Sequence, residues 1–182
     1  LRDIPPARVA ALSGCALRDG ELHLSLLGAA YVVRTSDYAV RRADAANPPS
    51  GFIEALLLTY LVTADGTPPS RRWIAYRELP NGMFYAQAFR GYAELRLVRA
   101  LDLDTYRRRA EDLGGMPLGI GDAGHVFAVL PRVCIATVYW EGDDELPAQA
   151  SVLFEDTAPH YMSTDGLAVL GSRLVDALVC NP

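Results

Sequence analysis

Four carboxylates lie within five positions of the segment YWEGDDELPA, residues 139–148. They belong to Glu141, Asp143, Asp144 and Glu145. Carboxylate oxygens bind hard cations such as Ca²⁺ and Mg²⁺, and acidic side chains also serve as general acids and bases. The spacing differs from that of the twelve-residue calcium loop. A turn explains the same residues, with Gly142 expected at positive φ and Pro147 ending a loop that is solvated or paired with arginine.

The histidines suggest a second kind of site. His125 opens one predicted strand and His160 follows another, so the pair with carboxylates between them would suit a divalent metal. Either ring would also suit the iron or cobalt of a tetrapyrrole. The sequence does not place the two rings close together, and an isolated histidine is more often an ordinary core or surface residue. His23 alternates with apolar neighbours and is expected to face solvent.

Three further residues around the acidic segment are candidates for ligand contacts. Arg132 is expected to form an ion pair with Asp143 or Asp144, which would explain both the arginine and the acids without any ligand. Tyr139 and Trp140 are neighbours in a predicted strand and point to opposite faces of it. One of them is expected in the core, and the other would line a pocket or an interface.

Several chemistries are excluded by residue types. All 17 basic residues are arginine, so neither a lysine Schiff base nor a P-loop lysine is available. The sequence contains no G-x-S-x-G and no H-E-x-x-H motif. The three cysteines, Cys15, Cys134 and Cys180, include no C-x-x-C pair, which excludes a zinc ribbon or a four-cysteine iron–sulfur cluster within the chain. Enzymatic activity is therefore uncertain, and the residues favour its absence.

Composition predicts one globular domain over residues 1–182, because 51% of the residues are hydrophobic and the length suits a single core. The net charge of −5 argues against nonspecific nucleic-acid binding, which needs basic surface. No apolar run reaches the roughly 18 residues of a membrane span. With unpaired cysteines and no apolar leader at the start of the sequence, a cytoplasmic protein is expected.

Apolar periodicity predicts an α+β fold with a mostly antiparallel sheet built from hairpins and packed by about four to five helices. The predicted hairpins comprise residues 22–35 and 133–156. A strand is predicted at 71–79, and helices are predicted at 52–64, 84–101 with an interruption near Gly91, 104–113, and 165–179 with Ser163 or Thr164 as its cap.

The segment 121–171 resembles an uncharacterised bacterial family classed as a domain of unknown function. The resemblance rests on Leu-Pro-Arg at 130–132, an apolar strand, Trp-x-Gly-Asp-Asp-Glu-x-Pro-Ala at 140–148, and Leu-Phe-Glu at 153–155. Leu146 stands where the family pattern has Phe, and Glu155 where it has Asp. Family members are found in anaerobes, near iron–sulfur and corrinoid modules. The resemblance implies an accessory or cofactor-linked role and gives no reaction.

Three functional hypotheses follow. The first is a cofactor-associated binding module for a tetrapyrrole (corrinoid or haem) or for the protein that carries it, with His125 or His160 at the rim of a pocket near Tyr139 or Trp140. The second is a metal-dependent enzyme that uses the acidic loop. The third is a non-catalytic subunit of a larger assembly, which also makes an oligomer possible.

Overall fold

A computed structural model describes residues 1, 3–45 and 47–180, which form helices and two antiparallel sheets. The four-stranded sheet contains β1 (Ala16–Arg18), β2 (Glu21–Leu26), β3 (Ala29–Arg34) and β4 (Val40–Arg42), in that order. The five-stranded sheet contains β5 (Trp73–Ala75), β6 (Met116–Leu118), β7 (Ala123–Leu130), β8 (Val133–Trp140) and β9 (Gln149–Glu155), in the order β5-β9-β8-β7-β6. The predicted α+β fold with hairpin-built antiparallel sheets is confirmed.

The described residues form five helices when the interrupted third helix is counted once. They are α1 (Pro6–Ser13), α2 (Gly51–Thr63), α3 (Ala86–Phe89) continuing through a π turn (Arg90–Glu94) into α4 (Leu95–Ala100), α5 (Leu103–Asp112) and α6 (Thr164–Cys180). Ser163 caps α6, because its hydroxyl oxygen accepts the Gly166 N–H at 3.3 Å. None of the helices in the described part of the chain has the length and apolarity needed to cross a membrane.

The predicted strand at 71–79 is too long. β5 ends at Ala75 and the chain turns into a 3₁₀ segment, Tyr76–Glu78. The Glu78 carboxylate accepts the Ala75 N–H at 2.8 Å, which replaces a bond of the strand ladder. The chain then folds back at Gly82, where a Cβ would lie 2.0 Å from the Tyr76 carbonyl oxygen. The turn therefore ends the strand after three residues.

The π turn coincides with the predicted interruption near Gly91 and places one acidic side chain at the edge of the sheet. β5 is short and pairs only with residues 153–155 of β9. Beyond it, the Glu94 carboxylate accepts the Val152 N–H at 3.2 Å. A side chain thus takes the place of a neighbouring strand and satisfies a backbone donor that β5 leaves unpaired.

The two faces of the five-stranded sheet differ in what covers them. His125 lies opposite Thr137, and Thr137 lies opposite Val152, so all three point to one face, against which α5 packs. α4 packs along β9 on the same side, and α6 contacts both α4 and α5. Val126, Ala136 and Leu153 share the other face, called the outer face below.

Candidate ligand-binding site

A cleft of about 590 Å³ lies on the outer face of the five-stranded sheet. It is lined by Pro69, Arg71, Trp73, Met116, Pro117, Leu118, Val126, Cys134 and Glu155. Register explains why these residues meet: Met116 is opposite Val126, and Trp73 is opposite Glu155. Directly opposed residues of antiparallel strands project from the same face, so both pairs point into the cleft. Most of the lining side chains are apolar.

Glu155 supplies the carboxylate of this cleft. It is only 4% exposed, and its Oε1 accepts the Arg71 N–H at 2.9 Å. Arg71 has a φ of 59°, a left-handed conformation that non-glycine residues rarely adopt. A buried carboxylate needs hydrogen-bond donors, and the Arg71 N–H supplies one to Glu155. The free energy of this bond offsets the cost of the left-handed conformation at Arg71.

Cys134 lies beside this carboxylate and is half-buried. Burial raises the pKa of the Cys134 thiol, and the charge of Glu155 raises it further. The thiol is therefore protonated at neutral pH, and a protonated thiol is a poor nucleophile. The cleft offers a hydrogen-bond acceptor, a neutral thiol and apolar walls, which suits binding better than cysteine-based catalysis.

The segment that carries Trp73 into the cleft is fixed from behind by Asp156. The Asp156 N–H donates to the Arg72 carbonyl at 3.0 Å, and the Arg72 guanidinium pairs with the Asp156 carboxylate at 2.8 Å. The Ser70 hydroxyl also donates to this carboxylate. These bonds hold one wall of the cleft in position relative to the end of β9.

His160 stabilises the segment 65–67, which comes just before the cleft residue Pro69, and does not line the cleft. Its Nδ1 lies 2.7 Å from an Asp65 carboxylate oxygen and 3.2 Å from the Thr67 hydroxyl. The His160 contact is the main reason why the pKa of Asp65 is lowered to about 2, and bonds to Thr67 add to it. His160 therefore fixes the side chains of Asp65 and Thr67. These contacts give no support to its predicted role as a ligand.

His125 lies inside the helix-covered side of the sheet. It is 5% exposed, and its Nδ1 is 3.4 Å from the Tyr106 hydroxyl, which donates to Thr137 at 2.8 Å. Burial lowers the pKa of His125, so the ring is neutral at pH 7. Tyr139 belongs to the same cluster, since its ring stacks on Tyr106 at 5.4 Å and its hydroxyl donates to the Leu101 carbonyl.

The structure thus brings His125 and Tyr139 together as core residues. Trp140 points to the opposite, outer face and is 37% exposed. It packs against the loop at Gly121 and lies apart from the residues that line the cleft. The predicted split between a core side chain and an outward side chain at 139 and 140 is therefore correct.

The predicted ion pair between Arg132 and the acidic loop is wrong. Arg132 precedes β8 and the acids follow it, so a strand of eight residues separates them by about 24 Å. The Arg132 N–H donates to the Tyr60 hydroxyl at 3.0 Å, and its side chain packs over Gly14. Arg132 therefore connects the second sheet to α1 and α2.

The acidic loop is organised by backbone bonds. The Asp143 carboxylate accepts the Glu145 and Leu146 N–H groups at 2.9 and 2.7 Å, and these bonds lower its pKa. Gly142 is needed for a reason other than the predicted positive φ: a Cβ there would lie 2.4 Å from the Ala148 nitrogen. Within the described residues, no three His, Cys, Asp or Glu side chains meet as a metal site would require.

The family model described as "Domain of unknown function (DUF3786)" matches residues 5–177. The chain belongs to this family. The predicted membership of a family of unknown function is confirmed, while the link to anaerobes and to iron–sulfur or corrinoid modules stays a prediction. No curated protein and no solved structure matches the chain.

In this DUF3786 chain, one site contains Trp73, Met116 and Glu155, and this grouping was not predicted from the sequence. One feature of the sequence pointed towards it. β8 reads VCIATVYW and is apolar at almost every position, whereas a strand with one solvated face alternates with polar residues. An antiparallel strand that is apolar on both faces predicts a second apolar surface in addition to the core.

Proposed function

We propose that this chain is a binding module, without a reaction of its own, for an amphipathic molecule of cofactor size that occupies the outer-face cleft. The observation that supports this most is the cleft itself, about 590 Å³ with apolar walls and one buried carboxylate. Ligand sites are typically concave, about 300–1,000 Å³, and mostly apolar with few polar groups.

The lining side chains favour a flat, partly apolar ligand with a hydrogen-bond donor. The Trp73 ring offers a face on which a planar ring can stack, and Met116 offers a soft and adaptable contact. Glu155 has one oxygen bound to Arg71, which leaves its second oxygen to accept a bond from a ligand N–H or O–H. A corrinoid combines these features, because its amide side chains offer N–H donors, and the family resemblance makes tetrapyrroles, either a corrinoid or a haem, the first ligands to test.

Two observations favour binding over catalysis at this position. Cys134 is protonated because its pKa is raised, so it is not an activated nucleophile. His125 and His160, which would be natural bases, are engaged with Tyr106 and Asp65 outside the cleft. The metal-dependent enzyme stays a hypothesis that the geometry of the acidic loop does not support.

A single-tryptophan protein tests the proposal. The chain has two tryptophans, so Trp140→Phe leaves Trp73 as the only one. Titration with haem or with a cobalamin is expected to quench its fluorescence with saturation at one ligand per chain. In the matched variant Trp73→Phe, the remaining Trp140 still reports binding through energy transfer to the tetrapyrrole, but the stacking ring is lost, so the dissociation constant is expected to rise. Equal, non-saturating quenching in both variants would overturn the proposal.

A further inference from the structure

Two exposed surfaces of opposite charge lie near the same end of β9. The first, called the acidic tip, is the loop at 141–146 between β8 and β9. Within the described residues, Asp144 and Glu145 form no ion pair within 4.0 Å. Leu146 follows them and is 61% exposed. The acidic tip therefore presents unpaired acids next to an apolar side chain.

The second surface, called the arginine–aromatic surface, comprises Arg77, Arg90 and the segment Met83, Phe84 and Tyr85. Phe84 is 82% exposed, and both of its neighbours are more than half exposed. The two arginines line a cleft of about 560 Å³ together with Met83 and the half-buried Glu94, whose charge they more than offset. In the described part of the chain, neither guanidinium has an acidic partner within 4.0 Å. Apolar side chains in water beside unpaired charges mark an interaction site.

The exposed aromatic segment is held in a fixed conformation. Asn81 adopts a φ of 60°, and Gly82 passes so close to the Tyr76 carbonyl that no side chain would fit. The Thr164 hydroxyl donates to the Pro80 carbonyl at 2.6 Å, which ties the segment to the start of α6. Tyr76 itself stacks on Phe89 at 4.4 Å. The fold therefore holds these apolar side chains outwards, as an anchor for a partner requires.

The positions of the two surfaces are suited to a symmetric contact. Ser151 lines the arginine cleft, and the acidic tip ends just before β9 begins at Gln149. Ser151 follows Leu146 by five residues, a span of at most about 17 Å, so both surfaces lie on the side of the molecule where β9 begins. In a two-fold dimer each copy presents the same patch, and residue i of one copy meets residue j of the other. Adjacent acidic and basic halves are complementary under that rotation.

We propose that the chain forms a two-fold dimer in which the acidic tip of each copy docks on the arginine–aromatic surface of the other. Leu146 packs against Met83 and Phe84, and the acids at 144 and 145 face Arg77 and Arg90. Burial of the apolar side chains contributes affinity, while the opposite charges steer the encounter and fix the register of the two copies. The inference is independent of the ligand proposed for the outer-face cleft.

Charge reversal tests the dimer by sedimentation equilibrium. One variant carries Arg77→Glu and Arg90→Glu, and the other carries Asp144→Arg and Glu145→Arg. Each variant alone is expected to be monomeric, with a dissociation constant raised at least about 100-fold, because like charges meet at both contacts. An equimolar mixture is expected to form heterodimers, since both contacts then pair opposite charges. The control Arg8→Glu with Arg18→Glu changes the net charge equally at exposed positions on α1 and β1, away from both surfaces, and is expected to dimerise as the wild type does.

Two results would overturn the inference. One is a wild-type protein that is monomeric at every concentration in low salt, where exposed charges are least screened. The other is a dimer that survives both reversals, which would place the interface elsewhere. Restoration of the dimer in the mixture, with none in either variant alone, is the result that only this pairing predicts.

Discussion

Trp73 and Met116 lie on opposite edge strands of the five-stranded sheet and yet line the same cleft. In a flat sheet, four strand spacings would separate those edges by about 19 Å. The side chains of both residues project from the outer face of a twisted sheet and reach across part of that distance. The cleft is thus a consequence of strand order, and it brings together residues far apart in sequence.

The buried histidine predicts how stability depends on pH. Burial lowers the pKa of His125 in the folded protein, so between that value and about 6.5 the unfolded chain binds more protons. The free energy of unfolding is therefore expected to fall as pH drops from 7.5 to 5.5. His125→Gln is expected to reduce this slope while changing stability at pH 7.5 by about 1 kcal/mol. Urea unfolding at both pH values measures it, and an unchanged slope in the variant would contradict the account.

Asp143 and Asp144 form a matched pair for the acidic loop. Asp143→Ala removes the acceptor of two backbone N–H groups and is expected to lower the melting temperature, whereas Asp144→Ala, which removes no such bond, is expected to lower it much less. Thermal unfolding with and without added calcium or magnesium checks both points. A metal-dependent rise in melting temperature that is lost in Asp144→Ala would favour a metal site instead.

The Tyr60 hydroxyl connects α2 to both α1 and the turn before β8. It donates to the Ser13 carbonyl and accepts the Arg132 N–H, in a fully buried position. Tyr60→Phe leaves both backbone groups without this partner and is expected to cost about 2 kcal/mol of unfolding free energy. Tyr38→Phe, which removes one part-buried bond to Leu1, is the control and is expected to cost less than about 1 kcal/mol. Denaturant unfolding of both variants measures the two losses. Equal losses of unfolding free energy in Tyr60→Phe and Tyr38→Phe would show that burial of the Tyr60 hydroxyl does not increase its contribution to stability.

The lowered pKa of Asp65 predicts a second effect of pH on stability, at acid pH. Its pKa in the folded protein is about 2, chiefly because of His160, and its ordinary value is near 3.9. A carboxyl whose folded pKa is depressed contributes stability above its unfolded pKa and loses it as pH falls through the folded one. Asp65→Asn is therefore expected to have a lower melting temperature than the wild type at pH 5. This difference in melting temperature is expected to shrink towards pH 2. A difference that does not change over this range would show that the charge of Asp65 is unimportant.

Local patterns predicted much of the fold. Alternation in residues 22–35 predicted the first hairpin, and the glycine in the third helix predicted its interruption. Both features depend on neighbours in sequence, so a single sequence contains the information. The opposite orientation of Tyr139 and Trp140 was also predictable, because it follows from the alternation of a strand, whereas the sequence left open which of the two lies outward.

The candidate site and the partner of Arg132 depend on distant contacts, which local patterns do not determine. Arg132 and Asp143 are near in sequence but lie at opposite ends of β8, because the extended strand carries them apart. Trp73 and Met116 are far apart in sequence but meet through strand order. The apolar sequence of β8 indicated a second apolar surface, and only the sheet topology shows which residues complete it.

The most direct test of the proposed binding site is native mass spectrometry of the protein mixed with haem or a cobalamin. Val126→Trp fills the cleft, and Gln149→Trp adds a bulky ring at an exposed position on the same face of the sheet, at the end of β9 opposite to Glu155 and outside the cleft lining. Met116→Asp changes an exposed wall residue, so it tests the cleft without risk to the core. Thermal unfolding verifies that each variant folds.

The account predicts a one-to-one complex for the wild type and for Gln149→Trp. It predicts that this complex is lost in Val126→Trp and is weakened in Met116→Asp. A wild-type spectrum without a one-to-one complex for either ligand, or a complex that survives in Val126→Trp, would contradict it.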